Sequence, residues 1–211
     1  MSQKRKLIDY WTSLSIIKDK KVIGAFKKVP RENFMKPEHK KEAYGDYPLP
    51  IGEGQTISQP TTVMLMTEAL ELKKNDKVLE IGAGSGYQAA IISNLVGENG
   101  KIISTEIIKE LAEFAQKNIE KLNLKNVKII RHDGSNGYKK EAPYDKIIIT
   151  AACPKIPKPL VHQLKEDGII VAPVGNMVEQ IMVKARKNKS KLIEEKLGDF
   201  MFVPMKGKYG Y

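Results

Sequence analysis

The sequence predicts an α/β fold built on a doubly wound, mostly parallel sheet. Three observations lead there. From Lys77 to Pro173, short apolar runs alternate with longer segments of helical periodicity, the mark of successive β-α-β units with right-handed crossovers. A glycine-dense turn, Gly82-Ala83-Gly84-Ser85-Gly86, joins the first of those runs to the first of those helices. The last apolar stretches, Glu179–Ala185 and Leu192–Phe202, have no helix between them, which predicts an antiparallel hairpin at one end of the sheet.

The elements follow in order. Residues 1–45 lack strand alternation and read as helical: Leu7, Tyr10, Trp11, Leu14 and Ile17 recur at helical spacing, and a second helix over Lys18–Phe26 is stopped by Pro30. Asn33–Pro37 and Tyr44–Pro48 read as loops, and Ile51–Pro60 as a segment bearing Gly and Thr. Pro60 suits the first turn of a helix over Thr61–Leu70. Strand Lys77–Ile81 leads to helix Tyr87–Val96, and strand Lys101–Glu106 to helix Lys109–Leu122. Strand Val127–Arg131 leads to an Asp133-Gly134 turn, and strand Lys146–Thr150 to a helix over Pro157–Leu164. Strand Ile169–Pro173 precedes the hairpin, whose turn is placed at Arg186–Lys191.

With 211 residues, 41% of them hydrophobic, the chain suits one domain. Residues 1–60 form its helical and loop region and residues 61–211 its α/β core. The lone cysteine, Cys153, excludes an internal disulfide and a cysteine zinc site and fits a reducing cytoplasm. No apolar stretch approaches a membrane span, and no apolar signal core follows the basic N-terminus. The formal net charge is +11, which raises the question of a nucleic-acid partner. The basic residues are dispersed and no run is interleaved with aromatics, so a lysine-rich surface without a stable nucleic-acid or membrane partner is the expected reading.

The glycine turn is where a nucleotide-bearing cofactor docks on such a sheet, since glycines admit close approach and the helix N-terminus offers free N–H groups. The pattern here is G-x-G-x-G, with Tyr87 where a dinucleotide fingerprint wants glycine, and no Gly-Lys-Ser/Thr follows to make a P-loop. Glu106 ends the second strand, placed to accept from both ribose hydroxyls of an adenosine. Asp133 follows the third strand, placed to accept from the exocyclic amine of adenine, with Gly134 allowing close approach. Each has a plain structural alternative: a tight turn, an acid favoured by a helix dipole, an Asp-Gly turn. Together they converge at the C-terminal ends of three successive strands.

Val78–Tyr87 resembles the first motif of class I S-adenosylmethionine-dependent methyltransferases, whose sheet is Rossmann-like. The resemblance implies S-adenosyl-L-methionine as cofactor, with S-adenosyl-L-homocysteine as product. It places Gly82, Gly84 and Ser85 beside the methionine part, Glu106 at the ribose and Asp133 with Gly134 at the adenine, and counts Glu80 and Ile107 among the cofactor-binding residues. The Asn/Asp-Pro-Pro-Tyr/Phe motif of base and RNA aminomethylases is missing, because strand four runs into Thr150-Ala151-Ala152-Cys153-Pro154. Cys153 lacks an evident His partner, and His39, His132 and His162 lie in unrelated contexts, so no metal is expected. An acceptor already anionic at neutral pH needs no base, and a carboxylate, with its pKa of about 4, is one. It needs aiming, which a hydroxyl and backbone N–H groups supply.

Ile51-Gly52-Glu53-Gly54-Gln55-Thr56-Ile57-Ser58-Gln59-Pro60 resembles the signature of protein-L-isoaspartate O-methyltransferases. Val29-Pro30-Arg31-Glu32-Asn33-Phe34, Thr150-Ala151-Ala152 and Val171-Ala172-Pro173-Val174-Gly175 extend the resemblance from about Val29 to Pro204. It implies methylation of the α-carboxylate of L-isoaspartyl, and also D-aspartyl, residues in damaged proteins and peptides, by a mostly monomeric family. Ser58 becomes the catalytic residue, bonding the substrate carboxylate, although Ser is also a favoured helix cap. Gln55, Thr56 and Ile57 would line cofactor and substrate together, and Ala151, Ala152, Val174 and Gly175 would supply backbone to the substrate peptide. One departure stands out: Lys206 occupies the place of a threonine that lies near the cofactor in the family, and that contact is not carried over. An RNA methyltransferase and a non-catalytic cofactor-binding protein are the competing readings.

Overall fold

The computed structural model describes residues 2–211. A seven-stranded sheet forms its centre, in the order β5-β4-β3-β6-β7-β8-β9. Its strands are β3 (Lys77–Ile81), β4 (Lys101–Glu106), β5 (Val127–Arg131), β6 (Tyr144–Ile149), β7 (Leu164–Gly175), β8 (Gln180–Asn188) and β9 (Lys191–Phe200). β3 to β7 pair in parallel, and β7-β8-β9 form an antiparallel meander. β1 (Leu49–Gly52) and β2 (Gln55–Ile57) make a separate two-stranded ribbon. The helices are α1 (Gln3–Ser13), α2 (Lys20–Lys28), α3 (Pro60–Ala69), α4 (Tyr87–Val96), α5 (Lys109–Lys121) and α6 (Lys158–Gln163).

The central strands are apolar on both faces because both are covered. Alternate residues serve opposite cores, as the two-residue strand period requires. Val78, Ile102, Ile148, Ile169 and Val171 pack toward α1 to α5. Leu79, Ile81, Ile103, Ile147, Ile149 and Ile170 pack toward α6, Cys153 and Met205.

β7 runs over Leu164–Gly175 where a strand over Ile169–Pro173 is expected, and the structure departs from the expected elements in four further places. In α1 only Leu7 and Trp11 are buried, while Tyr10 and Leu14 are 49% and 61% exposed. The helix ends at Ser13, so α2 and α3 cover one pair of residues rather than a whole stripe. Trp11 lies edge-on to Phe26 and donates from Nε1 to Thr61 Oγ1 at 2.7 Å. The segment bearing Gly and Thr, Ile51–Pro60, is largely part of the Leu49–Ile57 hairpin: Glu53 and Gly54 take φ of +52° and +67°, the geometry of a two-residue turn between twisted strands. Asn33–Pro37 overlaps two 3-10 turns, Arg31–Phe34 and Pro37–Glu42. The terminal hairpin is longer than expected and turns tightly at Lys189 and Ser190, both at positive φ, with Asn188 paired to Lys191.

Candidate active site

The C-terminal ends of β3, β4 and β6 open into a cleft enclosing about 890 Å³ of space continuous with solvent. Its floor is the turn after β3. Gly82, at φ +94°, donates its N–H to Thr105 O at 2.9 Å, and a Cβ there would stand 2.5 Å from Thr150 Oγ1. Gly86, at φ +86°, starts α4. These are conformations that L side chains rarely take. Gly84 N–H donates to Glu106 Oε2 at 2.9 Å, and Ile108 N–H donates to Glu106 Oε1 at 3.0 Å. The Glu106 carboxylate thus ties the glycine turn to the start of α5, and each oxygen keeps acceptor capacity toward the cleft.

Glu80 lies two residues before Gly82 and is wholly buried. Its Oε2 accepts from Ser104 Oγ at 2.5 Å, while Oε1 has no partner. Burial pushes the carboxyl up to about 8; the Ser104 hydroxyl opposes the rise and the nearby Glu106 adds to it. An orphaned buried acceptor costs free energy unless something donates to it.

The β1-β2 ribbon carries Gln55, Thr56, Ile57 and Ser58 to the cleft, and all four line it. Of the two roles open to Ser58, the helix cap is not taken up. The N-cap of α3 is Gln59, with no side-chain cap. The helix start is satisfied instead by Asp46, whose carboxylate accepts from Thr61 N at 2.9 Å and from Thr61 Oγ1 at 2.6 Å. Ser58 caps nothing, and its hydroxyl makes no hydrogen bond among the described residues.

Of the other expected positions, Gly82, Gly84, Ser85, Glu106, Ile107, Gly134 and Ala151 line the cleft. Asp133 does not. Its Oδ1 accepts from Ser135 N and Oγ, and its Oδ2 from Asn136 Nδ2 and Lys208 N, at 2.6–3.0 Å. Burial works against ionisation there, but the Lys208 amide and both Ser135 donors outweigh it and hold the carboxyl below its usual range. The wall beside Asp133 is made by His132 and Gly134.

Ala152, Val174 and Gly175 also lie outside the lining, and two of them have no free backbone to offer. Ala152 N–H donates to Val203 O and its carbonyl accepts from Met205 N, both at 2.8 Å. Gly175 N–H donates to Cys153 O at 3.0 Å and its carbonyl accepts from Tyr211 Oη at 2.6 Å. Val203, Met205 and Tyr211 of the chain itself thus take up both Ala152 backbone groups and the Gly175 carbonyl.

Sequence reasoning missed the cleft residues Val63, Met66, Tyr87, Leu111 and His132, and it left open whether Lys206 faces the cofactor. The apolar ones carry no separate signal, since residues at helical spacing read as core. Lys206 arrives from the far end of the chain. Cys153, buried against Pro173 O, is held as a neutral thiol by desolvation that pushes it up to about 12.

The sequence profile described as protein-L-isoaspartate(D-aspartate) O-methyltransferase matches residues 2–210. Protein-L-isoaspartate O-methyltransferase 2 of Archaeoglobus fulgidus is 50% identical over 192 residues, 91% of this chain and 88% of its own. A solved protein-L-isoaspartate O-methyltransferase superposes with a TM-score of 0.88 at 31% identity, over 98% of this chain and 66% of that longer one. A second structure, from Plasmodium falciparum and described as such an enzyme in complex with S-adenosyl-L-homocysteine, has a TM-score of 0.86 at 26% identity. That match covers 98% of this chain and 99% of the other.

Proposed function

We propose that this chain, which belongs to the protein-L-isoaspartate(D-aspartate) O-methyltransferase family, is a repair enzyme. It transfers a methyl group from S-adenosyl-L-methionine to the α-carboxylate of L-isoaspartyl and D-aspartyl residues in damaged proteins and peptides. The methyl ester then closes to a succinimide, which reopens in part to normal aspartate.

The residues present fit the cofactor. Glu80 Oε1 is a buried acceptor without a partner in the cleft wall, suited to the amino group of the methionine part. Glu106 retains acceptor capacity for ribose hydroxyls, and the Gly82–Gly86 turn leaves room for close approach. Gly134 admits the adenine beside His132, while Asp133 acts by fixing the turn that carries Gly134. The cofactor supplies a sulfonium-activated methyl group, so the protein's task is orientation rather than activation.

Ser58 is the observation that carries the acceptor assignment. While Asp46 holds the start of α3, Ser58 lines the cleft and its hydroxyl makes no hydrogen bond among the described residues. It donates to one oxygen of the acceptor carboxylate and turns the other toward the methyl group. No general base is needed for a group already ionised at neutral pH. Thr56 and Ile57 shape the wall around it, and Ala151 is the cleft residue at the end of β6.

We place this activity in the cytoplasm, carried out by a monomer without a stable nucleic-acid partner. The dispersed basic residues support this, several of them paired with acids, as in Lys101–Glu141, Lys165–Asp145 and Lys184–Glu71. No helix among the described residues is long and apolar enough to cross a membrane. The test uses labelled S-adenosylmethionine with an isoaspartyl peptide, its normal aspartyl twin, and RNA. Labelling of the isoaspartyl peptide alone is expected. Equal labelling of the twins, or of RNA alone, overturns the assignment.

A further inference from the structure

Three charged residues line the cleft: Glu80, Glu106 and Lys206. The two carboxylates are engaged by Ser104 and by the amides of Gly84 and Ile108. Lys206 is different, since its ammonium enters no ion pair and no hydrogen bond among the described residues.

Its backbone, by contrast, is fixed on both sides. Before it, Met205 is buried, and its N–H donates to Ala152 O at 2.8 Å. After it, Gly207 sits at φ +121° with the Asp133 carboxylate where a Cβ would stand. Lys208 N–H then donates to Asp133 Oδ2 at 2.9 Å, and Tyr209 N–H to Ser135 Oγ at 3.1 Å. Tyr211 N–H closes back onto Met205 O at 3.1 Å. The C-terminal strap is therefore pinned to the end of β6 and to the turn after β5, and it presents Lys206 to the cleft between them.

An exposed, unpaired ammonium on a residue that lines a cleft is suited to an anionic ligand. We propose that Lys206 determines acceptor specificity: it recognises the substrate carboxylate and acts with the Ser58 hydroxyl to draw it into the cleft. The proposal rests on the function given above. It assigns Asp133 a second task, that of anchoring the strap that carries Lys206.

The test compares the full chain with Lys206→Met and Lys206→Arg. Methylation of an isoaspartyl peptide is followed at low and high salt, and binding of S-adenosylhomocysteine by calorimetry. Lys206→Met should raise the peptide KM about tenfold at low salt, the loss of one charge-assisted contact. Its kcat should stay within about twofold and its affinity for S-adenosylhomocysteine should not change. Lys206→Arg should restore most of the KM. Added salt should raise the KM of the unaltered chain toward that of Lys206→Met and leave the variant nearly flat. An unchanged KM overturns the proposal. So does a parallel loss of S-adenosylhomocysteine affinity, which assigns the ammonium to the cofactor's own carboxylate. Absence of peptide methylation by the unaltered chain fails the underlying function instead. Lys206 is exposed, so the variants should share one unfolding midpoint.

Discussion

Replacing Glu80 with Gln tests whether this buried carboxyl is held protonated before any ligand arrives. Its carboxyl is pushed from about 4.5 to about 8, chiefly by burial, against the Ser104 bond and with a contribution from Glu106. Between those values the folded chain keeps a proton that the unfolded chain has lost, so stability falls as pH rises across that window. The penalty is absent below the lower value and complete above the upper one. It grows by about 1.4 kcal/mol per pH unit and reaches roughly 3 kcal/mol near neutrality. Gln has nearly the same shape, can still accept from Ser104, and does not ionise. The cofactor-free variant should therefore exceed the unaltered chain in stability by up to ~3 kcal/mol at neutral pH, with the gap closing toward the ordinary carboxyl range. Urea unfolding of both proteins at a series of pH values, without cofactor, measures this directly. Parallel stability curves would refute the reasoning, because they require Glu80 to ionise normally inside the fold. The same substitution should weaken S-adenosylhomocysteine binding, so stability and affinity should move in opposite directions.

Ser58→Ala should lower kcat about 10- to 100-fold, the worth of a hydrogen bond to a charged group, with S-adenosylhomocysteine affinity and unfolding midpoint nearly unchanged; steady-state kinetics beside calorimetry checks it. Asp46→Ala removes the acceptor of both Thr61 bonds and should cost about 1–2 kcal/mol, seen as a lower melting temperature that Ser58→Ala does not share. Gly82→Ala places a Cβ against Thr150 Oγ1 at a left-handed φ and should cost roughly 1–3 kcal/mol, together with loss of cofactor binding in a calorimetric titration.

Much of the fold could be read before any coordinates. β3 and β4 fall where their apolar runs end, and α4 begins at Tyr87 as the glycine turn requires. The cleft wall formed by Glu80, the glycines and Ser85 was legible because one short segment carries it. Ser58 and Glu106 were legible because short sequence patterns mark them. The Glu53-Gly54 hairpin turn was not, since Glu rarely adopts positive φ and offers no turn signature. Leu14 was misleading, because helical spacing does not say where a helix stops or which neighbours reach it.

The sequence by itself determined the order of strands and helices, the glycine turn, and a cleft chemistry suited to an activated methyl donor. The first two follow from local periodicity and from residue types whose backbone preferences act within a few positions; the third is what the resemblance of Val78–Tyr87 and Ile51–Pro60 to known families implies. Only the tertiary structure decided who does what inside the cleft. It gave the start of α3 to Asp46, which left Ser58 free, and it turned Asp133 into the anchor of a strap whose Lys206 stands 73 residues further along the chain. Such assignments depend on which groups find hydrogen-bond partners once distant segments meet, and a donor satisfied from far away leaves no trace in the residues beside it.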